Sequence, residues 1–453
     1  MSSKTYITDF TQGSVPKHLL VFSAPLFMSN LLQVVYNLVD MVIVGQVAGE
    51  AGLSAVSIGG DVSGFLTFIS MGFSSAGQVL IAQYLGAGYR DRVGRFICTM
   101  SSFLLTVSLL VSVFCLIFRE GILRLMNTPS ESWQQTLDYA TVCMFGMMFI
   151  YGYNIVGAVL RGMGDSKHPF IFISLAAVLN VILDIVFVVF LDFGAKGAAL
   201  ATVISQGVSF LSCVIFLAQN SQKFELNLKP SDFFHWDIPM LAALIKLGIP
   251  MAIKSAAIHF SKLFVNSWIN SYGVTVSAVA GIANKFSSIS NLFSQAVNTA
   301  GASMVGQNIG AKKYERVPKI MLTSFAITLV VATALSILLL TFPSAIFGIF
   351  TDKAEVISVC MEYLPIAIII FYGSSFRACM NALINGSGNY RINFVTAILD
   401  GMIMRIGLGL LFGLVLQMDY VGFWLGDALA GFTPFFIGIV YYYSGKWKKG
   451  QII

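Results

Sequence analysis

Charge is what this chain has least of. Only 11% of its 453 residues are Asp, Glu, Lys or Arg, against about 25% in an ordinary soluble domain. A water-soluble globule is thereby excluded as the default. Six cysteines (98, 115, 143, 213, 360, 379) show no CxxC spacing, which argues against a disulfide framework or a thiolate metal site and leaves them as small buried hydrophobes. The four histidines are scattered; His259 alone falls in an apolar stretch, and no pair has ligand spacing. Walker, Rossmann and nucleophile-elbow patterns are missing too, so neither nucleotide nor covalent chemistry is expected, and no cofactor. The opening MSSKTYITDFTQGSVP is polar and runs into a full-length apolar stretch without an A-x-A site, unlike a cleavable signal.

What the chain has instead is apolar length. Hydrophobic residues make up 57% of it, in stretches able to cross roughly 30 Å of hydrocarbon. Twelve such spans are predicted, near 17–45, 52–76, 93–118, 137–160, 169–191, 197–219, 239–270, 276–306, 318–343, 357–384, 392–416 and 421–443. No alternating pattern with turn signals appears, so a barrel is not expected. The expected fold is all-α and polytopic.

The chain also nearly repeats itself. GQVLIAQYLGAGYRDRV (Gly77 to Val93) returns as GASMVGQNIGAKKYERV (Gly301 to Val317), 224 residues later. Gly77, Gln83, Gly86, Ala87, Arg92 and Val93 meet Gly301, Gln307, Gly310, Ala311, Arg316 and Val317. The same offset carries LRGMGD (Leu160 to Asp165) onto INGSGN (Ile384 to Asn389), and with small slips Pro25 pairs with Pro250. Duplicated apolar halves are a signature of secondary transporters, whose sites lie at repeat interfaces. The halves are set at 1–220 and 237–453, with a polar linker at 221–236.

The net charge of +6 is a topology signal, and nucleic acid is not an expected partner. One set of loops holds Lys4, Lys17, Arg90, Arg92, Arg95, Arg161, Lys167, Lys223, Lys229, Lys312, Lys313, Arg316, Lys319, Arg391, Lys446, Lys448 and Lys449. The other holds only Arg119, Arg124, Lys196 and Lys353. That bias places both termini in the cytoplasm of an inner-membrane protein. Six spans per half then give the halves one orientation, as two lobes related by a pseudo-twofold.

Charges inside the spans point to function, because each costs about 2.5–3.5 kcal/mol in hydrocarbon on insertion scales. They are Asp40, Asp61, Asp184, Lys254, Lys262, Lys285, Arg377, Asp400, Arg405 and Asp427. Gln33, Asn37 and Asp40 follow an i, i+4, i+7 spacing along one face of span one. Asn180 and Asp184 share a face of span five, Thr202 and Gln206 one of span six, and Asn154 gives span four a mid-span amide. Interhelical hydrogen bonding would explain the amides alone; two carboxylates call for more. Two carboxylates in a partly dry pocket cannot both ionise comfortably and would titrate as a pair. The same oxygens could instead coordinate Na⁺, and no other metal site is expected.

The second half is polar but cationic. Span seven carries Ser255, His259, Lys262, Asn266 and Asn270; span eight has a stripe of Asn284, Ser288, Asn291, Gln295 and Asn298 with Lys285 beside it; span ten adds Arg377, Asn381 and Asn385. Asn284, Lys285, Ser288 and Asn291, with Gln33, Asn37 and Gln206, are the candidate substrate-cavity residues. Lys254 and Arg405 could equally form structural pairs with Asp400 or Asp427. The 38 Phe and 19 Met could line a compliant cavity for amphiphiles, or simply pack and face lipid.

Taken together, NLVDMVIVG (Asn37 to Gly45), QYLGAGYRDRV, VLRGMGDSKHP (Val159 to Pro169) and the asparagine and aspartate of NVILD (Asn180 to Asp184) resemble the multidrug and toxic compound extrusion (MATE) family over essentially the whole chain. The likeness is strongest to its prokaryotic DNA-damage-inducible F-like branch. That resemblance implies twelve helices in two six-helix lobes and antiport of small organic compounds, with the lobes rocking about a central cavity. It makes Asp40 central to coupling, joined by Asn180 and Asp184, with Gln33, Asn154 and Thr202 completing the pocket and Lys285 a recurrent basic position. The sodium-linked branch has acidic residues midway along helices seven and ten; KSAAIHFSKLF (Lys254 to Phe264) and IIFYGSSFRACM (Ile369 to Met380) have none, which throws coupling onto the first half. The expected activity is therefore export of drug-like, cationic or amphiphilic molecules in exchange for H⁺, with Na⁺ second, by a monomer. The competing reading is a flippase for lipid-linked glycans, using Lys254, Lys262, Lys285 and Arg377 against a pyrophosphate.

Overall fold

The structure, a computed structural model, describes residues 5–228 and 230–449; Lys4 and Lys229, two of the basic loop residues above, lie outside the described residues. With no water in hydrocarbon, every backbone N–H and C=O must find a partner within its own segment, and helices provide this. Among the described residues there are helices and turns and no strand.

Ten helices are long and apolar enough to cross a membrane. The first of them, Val15–Gly86, has 72 residues, roughly 100 Å of helix, far more than one crossing of about 30 Å. It is broken at Gly49, whose φ of 64° and ψ of −159° reverse the chain where a side chain would be strained. The pieces on either side are spans one and two. Val274–Gly310, 37 residues long, is span eight; its polar stripe keeps it out of the ten, but its length does not. Ten, plus one for the break and one for span eight, gives the twelve spans expected, in an all-α multi-pass membrane protein.

The duplication reaches atomic detail. A Cβ on Gly162 would lie 2.8 Å from the Gln78 carbonyl oxygen and 2.9 Å from Ile81; on Gly386 it would lie 2.7 Å from the Ala302 carbonyl oxygen and 2.7 Å from Val305. All three positions in one half are 224 residues from their counterparts in the other. Spans two and four, and spans eight and ten, thus touch backbone to backbone through a residue that must lack a side chain. Asp165 accepts from the N–H groups of Lys167 and His168 at 3.0 and 3.1 Å. Asn389 does the same for Arg391 and Ile392 at 3.0 and 3.4 Å. The repeated loop motif is therefore a helix cap, worth about 1 kcal/mol.

By packing, the chain forms two compact units. One combines the residues up to Thr8 with Met28–Gly248; the other combines Asp9–Phe27 with Ile249–Ile453. Their edges differ from boundaries drawn on the duplication alone. In the second unit Phe10, Leu19, Phe22 and Leu26 are buried in a core with Val297, Met304 and Ile320, and Phe27 stacks on Phe293 at 4.1 Å. In the first, the Trp236 indole N–H donates to Ser102 Oγ at 3.0 Å, and Gly248 lies against the Phe73 ring. Both edges fall two residues or fewer from a proline inside a helix, Pro25 and Pro250. Proline removes a helical hydrogen bond and permits a kink, so the leading part of spans one and seven is free to follow different neighbours from the rest.

Candidate functional site

Span one carries Gln33, Tyr36, Asn37 and Asp40 on adjoining turns, and packing sorts them. Tyr36 and Asp40 are buried, whereas Gln33 and Asn37 are exposed. Gln206 of span six donates from Nε2 to the Tyr36 hydroxyl at 3.4 Å, and Gln33 bonds to the same hydroxyl. Asn180 of span five donates from Nδ2 to Thr202 Oγ1 at 3.5 Å. One turn further along, Asp184 is fully buried as the last α-helical residue before a π-helical turn, Ile185–Phe190. Such turns occur as single bulges and often at functional sites.

Asp40 and Asp184 are near enough to act electrostatically on one another. Tyr139 of span four lies close enough to feel both carboxyls and neighbours the Cys143 thiol, which in turn lies by Ser63 of span two. Spans one, two, four, five and six of the first unit therefore close on one polar pocket. Asn154 is half-buried and makes no hydrogen bond to these residues. The expected set is thus mostly brought together: Asp40, Asn180, Asp184, Thr202, Gln206 and Gln33. Tyr36, Tyr139, Ser63 and Cys143 were not anticipated. Tyr36 was within reach, lying four residues before Asp40 on the same face; the other three depend on tertiary packing.

The pocket is short of partners. Asp40 Oδ1, Asn180 Oδ1 and both carboxylate oxygens of Asp184 are buried and unbonded. Among the described residues no Lys, Arg or His pairs with either aspartate. A buried ionised carboxylate without a partner is strongly unfavourable. Those oxygens call for protons or a small cation.

Two aspartates of the second unit, Asp400 buried and Asp427 half-buried, are treated differently. Asp400 accepts from Arg377 through two bonds of 3.1 and 2.9 Å, with Arg405 at 3.5 Å. Arg405 also pairs with Asp427. Of the two basic residues left open by the sequence, Arg405 is the one that pairs; Lys254 donates to Asn381 Oδ1 at 2.7 Å instead. A small cleft lies beside this network, lined by Lys262, Asn266, Asn284 and Asp427 among others. Of the expected cavity residues on span eight, Asn284 reaches it; Lys285, Ser288 and Asn291 are exposed outside it.

A family model described as MatE matches residues 25–186 and 250–411, one copy in each half. The chain is 27% identical over 446 residues to the probable multidrug resistance protein YoeA of Bacillus subtilis (strain 168), covering 98% of this chain and 96% of that one. Among solved structures it is similar to an outward-facing multidrug resistance MATE family transporter of the MOP superfamily, with a TM-score of 0.90, 21% identity and coverage of 99% and 100% of the two chains. A MOP superfamily transporter from Pyrococcus furiosus gives a TM-score of 0.89 at 20% identity, covering 98% of each chain.

Proposed function

We propose, from the premise that this chain belongs to the MATE family, that it exports small cationic or amphiphilic organic compounds across the inner membrane in exchange for protons. It is a transporter and not an enzyme. The observation that carries the proton reading is the pair Asp40 and Asp184: two buried carboxyls, electrically coupled, with no cationic partner among the described residues. Loading from outside would neutralise them and expel substrate; release inside would reset the site. Asn180, Thr202, Asn154 and Gln206 would shape this coupling pocket, with Gln33 and Asn37 at its exposed edge. The lobes of the duplication, 1–220 and 237–453, would alternate access as a monomer.

A second reading is favoured by the four unbonded oxygens of Asp40, Asn180 and Asp184, a donor set that also suits Na⁺. Reconstituted protein loaded with ethidium separates the two. An imposed pH gradient alone should drive efflux, and a Na⁺ gradient alone should not. Efflux driven only by Na⁺ would replace the proton with sodium.

Orientation follows the basic loops. In the first unit Thr5, Tyr6 and Thr8 bond to the loops holding Lys223 and Met163, and Arg90 pairs with Glu225. In the second, Lys313 and Arg316 bind the carbonyls of residues 10–13, and Trp447 lies against Tyr314. Within each unit the lysine- and arginine-rich loops gather at one end, which supports a cytoplasmic position for both termini. A C-terminal reporter active only in the periplasm should stay silent; a signal from it would reverse the orientation.

A further inference from the structure

The basic loops of the two units are used differently. In the first unit Arg90 pairs with Glu225, Arg95 with Asp237 at 3.8 Å, and Lys223 donates to Asn220 Oδ1 at 3.0 Å. In the second, Lys313 and Arg316 are taken up by the carbonyls of residues 10–13, but the lysines just past span twelve are not. Lys446, Lys448 and Lys449 are exposed, and their ammonium groups make no ion pair or hydrogen bond among the described residues. They are held in place all the same. Gly445, at a left-handed φ of 66°, turns the chain into a 3₁₀ turn, Lys446–Lys448. Its Trp447 is 2% exposed, stacks on Tyr442 at 5.8 Å, meets Tyr314 edge-on at 5.9 Å, and donates its indole N–H to the Tyr442 carbonyl at 2.9 Å. The Tyr314 contact brings up the loop of Lys312 and Glu315, both exposed and in no ion pair among the described residues. Four unpaired lysines and one carboxylate thus gather about a buried aromatic anchor. A second observation is the depth. The last membrane-spanning helix ends at Tyr443, itself 82% exposed, so the anchor lies at the level where tyrosine and tryptophan belts meet lipid headgroups.

We propose that this turn docks anionic phospholipid headgroups, with Lys446, Lys448 and Lys449 against their phosphates and Trp447 holding the turn at headgroup depth. Membrane orientation asks only that loops on one side be basic; it does not ask that the charges be collected unpaired, where they repel one another. A leaflet of opposite sign removes that repulsion, and its attraction for a basic segment beside a span falls off within a Debye length. The position of the turn meets that requirement, and a soluble anion would not need it. The site is separate from the Asp40 and Asp184 pocket and does not depend on proton exchange there.

The test is equilibrium binding of tail-labelled phosphatidylglycerol, and of phosphatidylcholine with the same tails, to the purified full chain in detergent, read by fluorescence anisotropy. Phosphatidylglycerol should bind at least about tenfold more tightly, and Lys446→Gln, Lys448→Gln and Lys449→Gln together should abolish that preference, each lysine near an acidic surface being worth up to about fivefold. The same three positions changed to arginine should keep it. An equal loss of charge among the opposite loops, Arg124→Gln, Lys196→Gln and Lys353→Gln together, should leave it unchanged. Asp40→Asn should show the wild-type preference, so failure here is distinguishable from failure of the transport reading. Equal binding of the two lipids, or an unchanged preference after the three lysines are replaced, would overturn the assignment. So would an equal loss from the opposite-loop variant, which would reduce the effect to net charge. Displacement of phosphatidylglycerol by millimolar inorganic phosphate would likewise overturn it, by making the turn a soluble-anion site.

Discussion

Asp40 and Asp184 in one compact unit, and the buried Asp400 with the half-buried Asp427 in the other, lie within helices and are treated in opposite ways. Asp400 and Asp427 are clamped by Arg377 and Arg405. Asp40 and Asp184 have only each other, a ring of neutral hydroxyl, thiol and amide groups, and three carboxylate oxygens without a partner. The two halves share the loop repeat and the equivalent close contacts at Gly162 and Gly386. A shared scaffold therefore carries two electrostatic designs. A carboxylate held by arginine keeps its charge whatever the proton supply outside. One without a cation gains from taking up a proton or a metal ion, and its charge can change with the state of the transporter. The first arrangement is suited to holding helices together and the second to coupling.

Breaking the clamp is expected to have the largest effect. Arg405→Ala leaves Asp427 and part of Asp400 uncompensated in a buried site, which should lower the stability of the protein by about 3–5 kcal/mol. Thermal unfolding in detergent reads this, and Arg405→Met combined with Asp427→Leu should recover most of the loss. If Arg405→Ala melted like wild type, the two units would not differ in the way described.

Next in size is the loss of exchange without loss of fold. Asp40→Asn keeps shape and hydrogen-bonding capacity but removes the titratable group, and should reduce pH-driven ethidium efflux by on the order of 100-fold. Asp184→Asn should cost about tenfold, since it also relieves the mutual repulsion of the pair. Both variants should melt within about 1 kcal/mol of wild type, because they remove an unsatisfied charge and not a bonded one. Early melting of both would place these aspartates with the structural pair.

The smallest effect is expected at Lys285. It is exposed and lies outside the cleft of the second unit, so Lys285→Ala should alter the ranking among substrates by only about threefold, as expected for a solvated or rim charge. Comparing ethidium with tetraphenylphosphonium efflux measures this, and a collapse of all transport would move Lys285 into the coupling machinery.

How much of this the sequence revealed depends on which physical constraint acts at each place. Span number and position were legible because hydrocarbon thickness imposes a length and because lipid demands helices. Asp40, Asn180 and Asp184 were legible because helical periodicity puts polar groups on one face. Tyr139, Ser63 and Cys143 were not, since nothing in their own helices sets them apart from ordinary packing residues. The partner choices of Arg405 and Lys254 were equally hidden: several carboxylates lay within plausible reach in sequence, and only packing decided between them. The change of packing partner near Pro25 and Pro250 carried a sequence signal in the prolines themselves, but a proline announces a possible kink and not which neighbours follow it.

The claim that the unpaired carboxylates exchange a proton for substrate is tested most directly by proton release at equilibrium. Tetraphenylphosphonium, which carries no proton of its own, is added to the detergent-solubilised protein in weak buffer and the pH recorded. Wild type should release protons in step with binding, and Asp40→Asn should bind the cation but release none. Equal release from Asp40→Asn, or binding to wild type with no release at all, would contradict the account.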